Sequence, residues 1–271
     1  MRKALFVLFL VTICIGLVGW KYLHRPVEID KTPIILGHGG MGVRSTLPLN
    51  SLESIKKALS HPIAGTEIDV RMTADGVLIA FHGENLKSET NCAGFVSKTT
   101  FAEISNCENS TWLKSAKIER LEDILDENYP KGSIFSLDLK ENFETESNRS
   151  ALLVDELKKL PESFQKYKFL IESMDLPFLI DLKKNEVNAE LFFYAHNLET
   201  DLDKILAAEL DGISINMNLC SAEQIASAQE ANLKVMLWGT GSVFSNREAV
   251  NMKPNIIQTD DIGSMSKLVK R

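Results

Sequence analysis

The stretch GTEIDVRMTADGVLIAFHGENL, residues 65–86, reads as two apolar runs, each stopping at ionisable residues followed by a glycine or a turn. Glu67 and Asp69 are two residues apart, so on a strand both side chains leave one face while Ile68 and Val70 leave the other. The second run ends at His82, and the upstream ILGHGG, residues 35–40, stops in the same way at His38. Two carboxylates held side by side repel, and a site that tolerates them neutralises them with a cation or a shared proton. Hard oxygen donors suit Mg²⁺ or Ca²⁺ better than zinc. The histidines, whose ordinary pKa lies near neutrality, add a means of taking and giving a proton.

Outward from this stretch the same pattern recurs. Strand-like runs appear at PIILGH, EIDVRM, SIFSLDLK, KFLIES, AELFFYA, GISINM, KVMLWG and NIIQTDD. Amphipathic helical stretches such as SLESIKKALS, RLEDILDEN, SALLVDELKKL, LDKILAAEL and SAEQIASAQEA separate most of them, several opening on a capping serine or aspartate. Eight strands alternating with helices predict an α/β fold, a TIM (β/α)8 barrel, whose active site lies at the C-terminal strand ends. His38, Glu67 with Asp69, His82, Asp138 with Lys140, Glu172, Trp238 and Asp260 all fall there.

Asp138 and Lys140 share one strand face, offering a third metal oxygen and an adjacent cation, or else an exposed salt pair. Leu137 and Leu139 suit the helix-packed side, which favours the inward placement. Trp238 either covers an apolar or sugar-like group or caps the core. His24 and His61 read as bystanders, and His196 is left as a possible pocket residue. Residues 83–117 read as one long irregular region lying over the strand ends, and no glycine-rich phosphate loop is found.

The 271 residues divide into an N-terminal segment, residues 1–30, and a barrel, residues 31–271. Arg2 and Lys3 precede an uncharged run from Ala4 to Trp20, just long enough to span a bilayer. Without a small-residue cleavage site, a single-pass transmembrane anchor is favoured over a cleaved signal, and lipidation at Cys14 is least favoured. The barrel is then expected to be periplasmic or extracytoplasmic, with a secreted form as the alternative. A net charge of −7 argues against a nucleic-acid partner. Cys92 and Cys107 flank one polar segment, either as a disulfide or as two free thiols.

The blocks ILGHGG, PLNSLESI, GTEIDVRMTADGVLIAFHGENL, TNCAGFVSKTTFAEI, IERLEDIL, SLDLK, LKVMLWG and NIIQTDDI resemble, in order and spacing, those of the glycerophosphodiester phosphodiesterase family. The resemblance implies a TIM barrel that hydrolyses glycerophosphodiesters to an alcohol and glycerol phosphate with a divalent metal, Mg²⁺ or Ca²⁺. By position it implies His38 and His82 as the acid–base pair, Glu67, Asp69 and Asp138 as metal ligands, and Lys140 as a phosphate contact. Four positions depart from the family pattern. Gly39 replaces an arginine, Leu49 the glutamate of a PEN block, Gly83 an aspartate, and Asp138 a glutamate. Losing the arginine removes a bidentate phosphate clamp, and Arg44 in the same loop is the candidate to replace it. Two other readings stay open: a membrane-tethered binding protein without catalysis, and a phospholipase-type phosphodiesterase acting on another lipid headgroup.

Overall fold

The computed structural model describes residues 9, 12–13, 19–21, 25–27, 32–141 and 147–269. Most of the expected N-terminal span, with Cys14 and His24, lies outside the described residues. Among the described residues no helix is long and apolar enough to cross a membrane.

The strands are β1 (Ile34–Gly37), β2 (Gly65–Met72), β3 (Leu78–Ala80), β4 (Glu108–Ser110), β5 (Ser115–Lys117), β6 (Ile134–Leu139), β7 (Lys168–Ser173), β8 (Glu190–Ala195), β9 (Gly212–Asn216), β10 (Lys234–Thr240) and β11 (Ile256–Thr259). Eight of them run parallel in the order β1-β11-β10-β9-β8-β7-β6-β2, and β1 closes the ring on β2 through Leu36 opposite Gly65 and Gly37 opposite Thr66. This is the TIM barrel read from the sequence. Strand β2 continues beyond the barrel rim, where Val70, Arg71 and Met72 pair antiparallel with β3. Glu67 and Asp69 therefore lie inside a strand rather than at its end, and His82 follows a short flanking strand rather than a barrel strand.

Alternation along the strands builds two apolar layers. Leu36, Ile134, Leu170, Phe192, Met236 and Ile256 fill the barrel interior. The outward residues, Leu137 and Leu139 among them, pack against the helices. Because Leu137 and Leu139 take the helix side, Ser136 and Asp138 face inward. Each large apolar side chain buried in these layers contributes about 1.5–3 kcal/mol.

The helices Leu52–Leu59, Leu176–Lys184, Leu198–Ala207, Ala222–Glu230, Val243–Asn251 and Ile262–Leu268 open on the caps Ser51, Asp175, Asn197, Ser221, Ser242 and Asp261, whose side chains accept from first-turn N–H groups. These caps sit at the strand-end loops, so the mouth of the barrel is also where the helix starts are fixed.

The segment after β3 is not irregular. It folds into short helical turns at Leu86–Ser88 and Val96–Lys98, a helix at Phe101–Ile104 and the hairpin β4–β5. Ile79, Phe81, Leu86, Val96, Ile104, Cys107 and Ile118 give it an apolar cluster of its own. Cys92 and Cys107 are joined as a disulfide. Three- and four-residue elements carry too few positions for a period to be read, which is why the sequence looked unstructured there.

At the opposite end of the barrel the chain enters beside the last helix. The Val27 N–H donates to the Leu268 carbonyl at 2.9 Å, and the Arg247 guanidinium donates to the Arg25 carbonyl.

Candidate active site

The first turn after β1 carries His38, whose N–H donates to the Thr259 carbonyl at 3.1 Å. Its ring is held by Asp260 from the end of β11, with Nδ1 2.6 Å from Oδ1. That contact directs Nε2 toward Glu67 Oε2, 3.9 Å away. Burial disfavours a charged His38, yet the Asp260 hydrogen bond and the charges of Glu67, Asp260 and Asp69 outweigh it and raise its pKa to about 10.

Glu67 and Asp69 are each 1% exposed. Glu67 Oε2 accepts the Gly39 N–H at 2.8 Å, whereas Oε1 has no hydrogen-bond partner. Burial and the neighbouring Asp69 charge hold the Glu67 carboxyl well above its ordinary range. Asp69 is clamped by Asn50, whose Nδ2 donates to Oδ2 at 2.8 Å while its Oδ1 accepts the Asp69 N–H at 3.0 Å. Asn50 reaches both from a left-handed backbone, φ 61°. Burial opposes ionisation of Asp69, but Lys140, Asn50 and His38 together lower its pKa.

Asp138 stands opposite Asp69 on the neighbouring strand. Lys140 Nζ lies 2.5 Å from Asp138 Oδ2 and 3.1 Å from Asp69 Oδ1. Burial keeps the Asp138 carboxyl above its usual range despite this contact, and the two carboxylates hold the lysine firmly protonated. One ligand atom each from His38, Glu67 and Asp69 lies within 4.8 Å of the others. The expected trio of Glu67, Asp69 and Asp138 is thus drawn together in part, with His38 beside the first two and Lys140 engaging the third. A buried carboxylate oxygen without a donor, surrounded by hard oxygens, fits a divalent cation.

His82 Nδ1 lies 3.1 Å from Glu89 Oε1, and that hydrogen bond raises its pKa against partial burial. Arg71 ties this corner to the barrel, donating from Nε to the His82 carbonyl at 2.9 Å and from a terminal nitrogen to the Lys140 carbonyl at 2.5 Å. An open cleft of about 1280 Å³ leads away from His82, Asp138 and Lys140 past Phe178 and Tyr194. The Tyr194 and Trp238 rings meet at a tilt of 34° with centroids 5.2 Å apart, and Trp238 Nε1 is buried without a hydrogen-bond partner. His196 is an exposed neighbour, its ring 5.6 Å from that of Tyr194. Arg44 lies at the rim. Its Nε donates to the Gly241 carbonyl at 2.7 Å and its N–H to the Asp260 carbonyl at 3.2 Å.

The two glycines among the departures from the family pattern both have crowded surroundings. A Cβ on Gly39, at φ 53°, would lie 2.9 Å from Leu49 Cβ and 3.0 Å from Leu49 Cδ2. A Cβ on Gly83 would lie 2.4 Å from Ser88 Oγ and 3.0 Å from Glu89 Oε1. Beneath the site Glu172 accepts from Ser136 Oγ at 2.6 Å and Gln258 Nε2 at 2.5 Å, and burial first, then the Asp138 charge, pushes it up to about 7.

Sequence reasoning assigned no role to Asn50 or Glu89. Asn50 sits in the PLNSLESI block, where a residue able to adopt the left-handed conformation was the available signal, whereas nothing local marks Glu89.

A TIM barrel that gathers two histidines, three carboxylates and a lysine at its mouth has groups able to exchange protons and donors suited to a hard cation. Residues 41–264 match the Glycerophosphoryl diester phosphodiesterase family, and the chain belongs to that family. A Bacillus subtilis glycerophosphodiester phosphodiesterase is 26% identical over 228 residues, 78% of this chain and 70% of that protein. One from Caldanaerobacter subterraneus is 32% identical over 75 residues, 28% of this chain and 30% of that protein. The match spans less than half the length of the first four curated relatives, between 28% and 42%. A structure of an Oleispira antarctica phosphodiesterase in complex with the product sn-glycerol-3-phosphate has a TM-score of 0.78 at 18% identity, covering 89% of this chain and 98% of that one, a likeness of fold.

Proposed function

We propose that this chain hydrolyses glycerophosphodiesters to an alcohol and glycerol phosphate, with a divalent cation, Mg²⁺ or Ca²⁺, held by Glu67, Asp69 and Asp138. The observation that carries the reading is the donor-free Glu67 Oε1 beside a second buried carboxylate and His38 Nε2. Such a cluster costs folding free energy unless a ligand uses it. When bound, the cation supplies polarisation of the phosphoryl oxygens and neutralises charge developing on phosphorus.

The chain's own residues do the rest. Lys140 contacts a non-bridging phosphate oxygen. One histidine takes the proton of the attacking oxygen as the new P–O bond forms. The other gives a proton to the departing alkoxide as its P–O bond breaks. If the attacking oxygen is the neighbouring glycerol hydroxyl rather than water, the product is a cyclic phosphate that water then opens with the histidine roles exchanged. Asp260 on His38 Nδ1 and Glu89 on His82 Nδ1 leave each Nε2 for the transfer. Trp238, beside Tyr194, and Arg44 at the rim supply further substrate contacts.

A diffusible diester is favoured over a lipid of the tethering membrane. The chain enters the barrel at Arg25–Val27, at the end opposite the site, so an N-terminal anchor would hold the mouth away from its own bilayer. The Cys92–Cys107 disulfide favours an oxidising, extracytoplasmic location. Retained carboxylates and both histidines weigh against a binding protein that has lost catalysis. The test is release of glycerol phosphate from soluble glycerophosphodiesters by the full chain with Mg²⁺ or Ca²⁺; a folded, metal-supplied protein inactive on every diester overturns the proposal.

A further inference from the structure

Gly83, next to His82, is the site of a lost carboxylate in the family pattern, and Glu89 fills the space beside it. A Cβ on Gly83 would stand 3.0 Å from Glu89 Oε1, the same oxygen that lies 3.1 Å from His82 Nδ1. We infer that Glu89, six residues further along the chain, is the positioning residue of His82: it fixes the ring with Nδ1 turned away from the substrate and Nε2 toward it, while the space a side chain at Gly83 would need is taken by Ser88 Oγ, 2.4 Å from its Cβ position, and by the Glu89 carboxylate. The inference rests on the assignment of His82 to proton transfer made above.

Geometry on both sides of the contact supports it. The Glu89 side chain is 29% exposed and His82 58%, so the histidine needs a tether to keep one orientation. The tether is anchored. Glu89 terminates the turn Leu86–Ser88, with its N–H on the Leu86 carbonyl. Asn85 caps that turn, accepting the Lys87 N–H at 3.0 Å, while its carbonyl accepts from Ser88 Oγ at 2.6 Å. Three residues further on, Cys92 is bonded to Cys107. A carboxylate on Nδ1 selects the tautomer and ring orientation that place the second nitrogen in the cleft. The side chains of Asp69, Lys140 and Arg71 act on this corner from the barrel, but Glu89 is the carboxylate that reaches the ring.

The test is a double-mutant cycle between positions 82 and 89 in the full chain with metal present. Glu89→Gln should lower kcat about tenfold to a hundredfold with KM little changed. In a His82→Asn background the same substitution should cost nothing further, because its effect passes through the ring. A structural role would instead subtract the same factor in both backgrounds, and that result overturns the inference. Rescue provides the second measurement: Gly83→Asp introduced into Ser88→Ala/Glu89→Ala should recover most of the lost kcat, whereas no recovery in a variant with unchanged melting temperature counts against the inference. If His82→Asn itself leaves kcat intact, it is the functional assignment of His82 that fails, and the cycle reports the two failures separately.

Discussion

Lys140 Nζ lies 2.5 Å from Asp138 Oδ2, so a protein ammonium serves as counter-ion for a carboxylate expected to help hold a divalent cation. The same nitrogen is 3.1 Å from Asp69. Removing it leaves the buried Asp69 and the partly buried Asp138 uncompensated, which costs about 2–4 kcal/mol for partly screened groups. Lys140→Met should therefore melt well below the parent in chelator and recover disproportionately in saturating Mg²⁺ or Ca²⁺, because metal binding stabilises the fold that offers the site. Calorimetric melts with and without metal check this; an equal deficit under both conditions would sever the lysine from the metal site.

At Gly39 the backbone is left-handed, φ 53°, and a Cβ there would meet Leu49 Cβ, an atom that any residue but glycine carries at position 49. Restoring the family's arginine with Gly39→Arg alone should destabilise the protein by about 1–3 kcal/mol through the left-handed backbone and the contact. It should bring no fall in KM. Chemical denaturation with steady-state kinetics on the same preparation reads both; tighter substrate binding at unchanged stability would show the loop to be freely adaptable.

Glu172 has a folded pKa of about 7, above the value near 4.5 of an ordinary glutamate, because of burial and the Asp138 charge. The folded state therefore binds this proton more tightly than the unfolded chain. Its stabilising contribution is fully present below about pH 4.5 and is lost as pH rises through 7, on the order of 1–3 kcal/mol. Glu172→Gln should flatten that part of the stability-versus-pH profile measured in chelator. Identical slopes in parent and variant would assign the dependence to other groups.

The Cys92–Cys107 bond constrains a segment of 15 residues' separation. Replacing both cysteines by alanine should cost about 3 kcal/mol. The loss should appear first as hydrogen exchange around the Ile79, Phe81, Leu86 and Val96 cluster and as lower kcat, since Glu89 lies three residues before Cys92. Exchange that speeds up evenly over the whole barrel would place the constraint elsewhere.

The barrel was legible because its eight strands are apolar runs at regular intervals, and period-two reasoning correctly sent Leu137 and Leu139 outward and Asp138 inward. The site was legible where chemistry lies within a strand or at its end, as for Glu67, Asp69 and His38. It was illegible where a partner arrives from a distance. Asp260 meets His38 across 222 positions, and only ring closure between β1 and β11 brings them together. Glu89 escaped notice because the turn that delivers it is three residues long. Gly83 reads as a loss from the sequence, whereas in the structure the Glu89 carboxylate reaches His82 from further along the chain.

The most direct measurement is a calorimetric titration of Mg²⁺ and of Ca²⁺ into chelator-stripped full chain and its Glu67→Gln variant, with glycerol phosphate release followed in the same samples. The parent should bind at least one of the two ions at a single site and gain diester hydrolysis in proportion to occupancy, and Glu67→Gln should lose both together. Hydrolysis that persists without bound metal, or that survives in a Glu67→Gln variant unable to bind it, would contradict a metal-dependent site built on these buried carboxylates.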